Sequence, residues 1–261
     1  MPVVALALVL ATTSPAAAGG SADLSALAST LSSPSNAYGP WLTEDLSLRL
    51  PPDGGAGIEI VSRHTSDRFS PSTAQYFVLD DYHAWSKRFS TYVAAGAGTG
   101  APFARTRFSL EGDLVTGRRI VAVAGLTVAQ TYDAGALTQA SIGLDYYFAD
   151  DYLSLRYRPT WSATLGNTSG FASVLSLGRP GRSTHTLRLG GGGENDAASV
   201  GTVAPSIVGV RAFDASYTYK HWTGPASGFH LDLGYGTLTR RGGTRIYSHL
   251  DTGLGYFFAL K

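Results

Sequence analysis

The feature that most constrains this chain is two-residue alternation held over unusually long segments. In Ile246–Phe258 one face reads Ile246, Ser248, Leu250, Thr252, Leu254, Tyr256, Phe258, and the other reads Tyr247, His249, Asp251, Gly253, Gly255. Three earlier segments repeat the scheme. Phe229, Leu231, Leu233 and Tyr235 oppose His230, Asp232, Gly234 and Gly236; Phe213, Ala215, Tyr217 and Tyr219 oppose Asp214, Ser216, Thr218 and Lys220; Leu153, Leu155, Tyr157 and Trp161 oppose Ser154, Arg156, Arg158 and Thr160. A period of two marks a strand with different surroundings on its two faces. From Gly55 onward the pattern predicts twelve strands, near 55–66, 72–83, 87–98, 102–114, 118–131, 136–148, 152–163, 169–178, 183–191, 210–223, 228–239 and 245–258. Those near 72–83 and 118–131 alternate poorly and are placed by spacing. Soluble strands average about 5–6 residues, whereas a tilted strand crossing a hydrocarbon core needs about 9–11. The segments here are of the second length.

Composition agrees. Charged residues make up 15% of the chain, against roughly 25% in soluble domains, yet the hydrophobic fraction is an ordinary 44%. Glycine (32) and tyrosine (14) fill the gap, and aromatics gather at strand ends, as in Tyr146-Tyr147-Phe148 and Tyr256-Phe257-Phe258. Strands that face lipid must close on themselves, because no water satisfies an open edge there. The expectation is an all-β chain: a transmembrane, antiparallel, up-and-down β-barrel of about twelve strands. Short turns at His83–Lys87, Val115–Arg118, Ala149–Asp151, Arg179–Arg182 and Thr223–Ser227 alternate with longer connections, the longest being Gly191–Gly209. This asymmetry puts the short turns and both termini in the periplasm of a Gram-negative cell. A formal charge of +1 gives no footprint for nucleic acid, and the absence of cysteine removes thiolate chemistry. The partners expected instead are outer-membrane lipid and the barrel-assembly machinery.

Ahead of the strands, Val3–Ala11 is an apolar core of signal-peptide length, and Ser14-Pro15-Ala16-Ala17-Ala18 offers cleavage after Ala18, although no Lys or Arg precedes the core. Residues 1–18 are read as a signal peptide. Residues 19–54, rich in Gly, Ala, Ser and Pro, are read as a periplasmic leader with a short helix around Ala22–Leu31.

The polar faces assign a lumen to Arg105, Arg107, Glu111, Asp113, Asp145, Arg156, Arg158, Arg188, Asp214, Lys220, His230, Asp232, His249 and Asp251. Signs are nearly balanced, which suits a network of paired charges or a non-selective passage better than an ion-selective pore. His230, Asp232, His249 and Asp251 form a polar cluster on adjacent strands, more readily a hydrogen-bonded group than a metal site. No cofactor or metal is expected. His64, beside Thr65-Ser66-Asp67 at the outer rim, is the best-placed histidine for catalysis, but closeness in sequence does not make a triad. His83, His185 and His221 belong near the periplasmic interface. Gly190–Gly193 lacks the partners of a phosphate-binding loop.

Particular stretches also resemble the YaiO-type outer-membrane barrels. They are Asp80–Tyr92 running into Ala95-Gly96-Ala97-Gly98 and Phe103, then Leu144-Asp145-Tyr146-Tyr147, then Tyr219-Lys220-His221-Trp222 and Arg240-Arg241-Gly242-Gly243. The resemblance covers roughly residues 55–258. It implies a barrel, sometimes linked to polysaccharide export, with no catalytic residues. No helical-repeat segment precedes the strands here, and the chain continues past Phe258 as Ala259-Leu260-Lys261. The functional expectation is a structural or transport barrel of unassigned cargo and not an enzyme. The alternatives are a rim-active acyl hydrolase or transferase, and an adhesin-like barrel that presents the Gly191–Gly209 loop.

Overall fold

A computed structural model describes residues 20–34, 36, 38–50, 55–66, 71–101, 103–132, 135–163, 166–193, 210–240 and 243–260. The signal-peptide segment, the Asp67 rim position and most of the Gly191–Gly209 connection lie outside them. Among the described residues, fourteen antiparallel strands close into one barrel in sequence order: β1 Ser21–Ser32, β2 Trp41–Arg49, β3 Ala56–Thr65, β4 Ser72–Ala84, β5 Phe89–Gly98, β6 Thr106–Val115, β7 Ile120–Gln130, β8 Ala136–Phe148, β9 Asp151–Ser162, β10 Thr168–Arg179, β11 Ser183–Gly193, β12 Val210–Trp222, β13 Ser227–Arg240 and β14 Arg245–Ala259. The twelve expected strands are β3–β14.

The leader expected over 19–54 is instead the first two strands, and the helix over Ala22–Leu31 is β1. Leu24, Leu27 and Leu31 sit three and four apart, a helical spacing that masks the alternation of Asp23, Ser25, Leu27 and Ser29 with Leu24, Ala26, Ala28 and Thr30. Closure overrides the local signal. β1 pairs along its whole length with β14, from Ser21↔Ala259 to Ser32↔Ser248, and β2 covers its other edge. Without β1 and β2, two edges would be left open in lipid. β7 alternated poorly because both its faces are apolar, with Val121 and Val123 inward against Leu126 and Val128 outward.

The register sets the barrel's geometry. A row of paired residues starts at Ser32, near one end of β1, and passes Ser248, Thr237, Phe213, Gly191, Phe171, Tyr157, Ile142, Ala124, Gly112 and Thr91. It reaches His83 at the opposite end of β4. Continued through the β3 and β2 registers, it returns to β1 displaced by fourteen residues, so the shear equals the strand number. Tilt then depends only on the ratio of residue rise to strand spacing. That gives about 35° and a backbone radius of about 13 Å. Each step around the row drops it by one residue's rise along the axis, which allows residues on different strands to be compared by level.

The two ends differ. At the end where Ser21 and Ala259 pair, the connections are residues 50–55, 85–88, 116–119, 149–150, 180–182 and 223–226. The far end carries 33–40, 99–105 and 194–209, among others. The two-residue connection 149–150 is tight enough to force Ala149 to a φ of 59°. The outward face is apolar, with Leu79 at 62% and Leu254 at 59% exposure, as a lipid-facing surface requires. Outward aromatics cluster at the terminal end, where Tyr219 stacks near His221 and Phe229, and His185 Nδ1 lies 2.7 Å from the Tyr217 hydroxyl.

Candidate functional site: the lumen

Alternation places every second residue of each strand inside. All the lumenal residues expected from the sequence face inward except Arg105, which is exposed in the 99–105 connection just before β6. The remainder fall into separate groups, which the register explains.

The most buried group joins β6, β8 and β9. Arg156 and Asp145 form a two-pronged ion pair, Nη1–Oδ1 2.6 Å and Nη2–Oδ2 3.1 Å, with side-chain exposures of 5% and 0%. Glu111 Oε1 stands 3.9 Å from the same guanidinium, and Asp113 lies beside it on β6, bonded to Ser90 at 3.5 Å. Gly143, the residue paired with Arg156, gives the side chain room: a Cβ there would meet the Leu155 carbonyl and the Arg156 stem.

A second group spans the closing seam. His230 Nε2 lies 2.9 Å from Asp23 on β1, and its Nδ1 lies 2.6 Å from Asp232. Asp232 also accepts from the Thr218 hydroxyl at 2.6 Å, and Thr218 in turn accepts from Arg188 at 3.2 Å. Lys220 reaches Asp23 at 3.6 Å and sits 3.8 Å from the Phe257 ring centre. His249 belongs to a third group, with Asp251 at 2.9 Å and Asp214 at 3.6 Å. The sequence had grouped the two histidines together. The register separates them, because His230 pairs with Gly255 while His249 pairs with Gly236, six positions further along β13. Each histidine lies over the glycine opposite it, where a Cβ would collide with the ring.

Sequence reasoning missed the charges on β2–β4. Arg49 pairs with Asp80 at 2.8 Å, and Asp45 and Glu59 are diagonal neighbours facing inward across the β2–β3 ladder. Arg63 is buried between the Trp41 and Phe103 rings, at 5.8 and 5.4 Å, and bonds Thr43 at 3.3 Å. The available signal was the alternation Asp45-x-Ser47-x-Arg49, hidden by the leader assignment, and Glu59-x-Val61-x-Arg63 within the expected 55–66 strand, which was not carried into the lumenal set. Phe103, from the 99–105 connection, folds inward and stacks on Tyr76, so the far end of this half is filled.

The lumen is therefore lopsided. Inward side chains of β2–β6 are large and mostly buried, including Val61, Arg63, Tyr76, Val78, Tyr92 and Arg107. Those of β10 are small and half-exposed, Ala172, Val174 and Ser176, while β11 and β12 mix small ones, Gly190, Gly192 and Ser216, with the long side chains of Arg188, Lys220 and Trp222. Among the described residues no group of His, Cys, Asp or Glu could hold a metal ion.

His64 does not face the lumen, nor does it join its sequence neighbours. Thr65 points inward and bonds Ser72 at 3.0 Å. His64 points outward instead, toward Thr73 and Glu44. His83, His185 and His221 lie outward near the terminal end, where His83 packs on Trp85 at 4.4 Å.

Comparison with known proteins bears on the fold. The solved structure titled "CymD monoaromatic hydrocarbon channel" is similar over 94% of this chain and 90% of its own, with a TM-score of 0.60 and 10% identity. The outer membrane protein Omp33 of Acinetobacter baumannii is similar over 93% and 99%, with a TM-score of 0.51 and 9% identity. At such identities the likeness is one of fold. No curated protein matches the sequence. A family model described as the YaiO membrane beta barrel domain matches residues 23–197, beginning inside β1 and ending beyond β11. The chain belongs to the YaiO family of outer-membrane β-barrels.

Proposed function

We propose that this barrel is a narrow solute passage through the outer membrane, running along the β10–β12 wall. The carrying observation is the lopsided lumen. Several inward side chains on β10–β12 are small and half-exposed, with Arg188, Asp214 and Lys220 as the polar groups among them, while packed side chains on β2–β6 stiffen the opposite wall. The ion pairs that line the interior wall leave no large excess of one sign, so the passage discriminates weakly between anions and cations. The short connections at the terminal end support a periplasmic position for both termini, with 194–209 outside. In this reading β14 is the strand that assembly machinery engages, with Tyr256 and Phe258 as its outward aromatics.

The test is conductance of refolded protein in planar bilayers, with swelling of liposomes in graded sugars. A small, weakly selective conductance is expected, and Val174→Trp should cut it by at least half. Folded protein that passes neither ions nor small sugars would overturn the reading. The polysaccharide-export role implied by the family resemblance needs a larger cargo, and swelling in oligosaccharides distinguishes it.

A further inference from the structure

The outward face of β1–β4 carries a polar patch that includes a carboxylate and a histidine. Near the far end, Thr30 on β1, Glu44 on β2, Ser62 and His64 on β3, and Thr73 and Gln75 on β4 all point outward. Elsewhere these levels mix aromatics, Phe108, Phe171, Tyr235 and Trp161, with uncharged polar residues, Thr106, Gln130, Thr237 and Thr252. The registers put Glu44 level with Phe108 and Phe171, and His64 level with Trp161. Among the described residues, Glu44 is the one acidic side chain on an outward strand face above the lower aromatic level. An ionisable group at membrane depth is costly, so its presence there points to a task.

The local pairing builds a defined constellation. Thr73 pairs directly with His64, and Glu44 pairs with Ser62, one diagonal step from His64. His64 Nδ1 lies 3.0 Å from Thr73 Oγ1, and its Nε2 lies 3.4 Å from Glu44 Oε2. A carboxylate at one ring nitrogen and a hydroxyl at the other is the order in which an imidazole can take a hydroxyl proton. Gln75, two residues on along the same face of β4, brings a side-chain amide to the same edge. The ester groups of lipids lie at this depth, between the headgroups and the hydrocarbon.

We propose that Glu44, His64 and Thr73 form an acyl-transfer site for ester-linked acyl chains of membrane lipid. Thr73 Oγ1 attacks the ester carbonyl carbon while its proton passes to His64 Nδ1. The bond to the lipid's alcohol oxygen breaks, and His64 returns the proton to that oxygen. Water, deprotonated by His64, then attacks the acyl-threonine; fatty acid leaves and Thr73 regains its proton. Glu44 steadies the imidazolium in both halves, and the Gln75 amide donates to the oxyanion. The site lies outside the barrel wall and stands whether or not the lumen conducts.

The experiment uses full-length refolded protein in mixed micelles of detergent and dioleoylphosphatidylethanolamine, followed by mass spectrometry. Equimolar oleate and lysophospholipid are expected from wild type. His64→Ala and Thr73→Ala should each lower release by about a hundredfold or more, while Thr73→Ser retains it. Heat-dependent electrophoretic mobility confirms that each variant is folded. A long-chain alkyl fluorophosphonate should add its mass at Thr73 in wild type and fail to do so in His64→Ala. Folded wild type that releases no fatty acid and takes no label, or release unchanged in both alanine variants, overturns the proposal.

Discussion

Replacing Arg156 with methionine should destabilise the barrel far more than replacing its partner. The guanidinium faces three carboxyl groups: Asp145 in two-pronged contact, Glu111 at 3.9 Å and Asp113 beside them. Arg156→Met leaves these acids crowded in a site whose pair is 5% and 0% exposed, with no cation in contact. Removing one partner of a buried pair costs about 3–5 kcal/mol, and the remaining like charges put this case at the upper end. Asp145→Asn is milder, because Glu111 is near enough to close on the freed guanidinium; about 1–2 kcal/mol is expected. Urea unfolding of refolded protein in micelles, followed by tryptophan fluorescence, measures both. With an m-value of about 3 kcal/mol/M, Arg156→Met should move the midpoint by about 1–1.5 M and Asp145→Asn by about 0.3–0.6 M. Equal shifts, or a shift below 0.3 M for Arg156→Met (an order-of-magnitude threshold), would show that water inside the lumen screens the group and would refute the reasoning.

Two further outcomes follow from backbone geometry. Gly143→Ala should cost about 1–3 kcal/mol in the same assay, because the new Cβ meets the Leu155 carbonyl, which the β8–β9 ladder holds in place. Ala149→Gly should raise stability by about 1 kcal/mol, since a two-residue connection holds Ala149 at a φ of 59°; an unchanged midpoint would count against strain at that turn.

Legibility from sequence tracked the contrast between the two faces of each strand. β13 and β14 set Leu and Tyr against His, Asp and Gly, and their extents and lumenal residues could be read directly. β1 could not, because its outward face is largely alanine and its leucines fall on both sides, so only the ladder to β14 reveals it. The inward charges of β2 were lost with it. Individual lumenal residues were easier to identify than their partners. Partner choice depends on register between strands, and that is why His230 and His249 part company and why His64 meets Thr73 and Glu44 rather than Ser66.

The β1–β14 seam bears on how the barrel is made. Every other ladder joins strands that are neighbours in the chain, so each can form as a hairpin soon after its residues meet. The seam alone unites Ser21–Ser32 with Ser248–Ala259, and the His230–Asp23 contact stands beside it. Joining such distant segments carries the largest loop-closure cost in the molecule and can occur only once the last strand is in hand. Until then the sheet has two raw edges that lipid cannot satisfy. Zippering is thus stepwise along thirteen ladders and all-or-none at the fourteenth. That last step is where a chaperone or insertase would have to hold the growing sheet open.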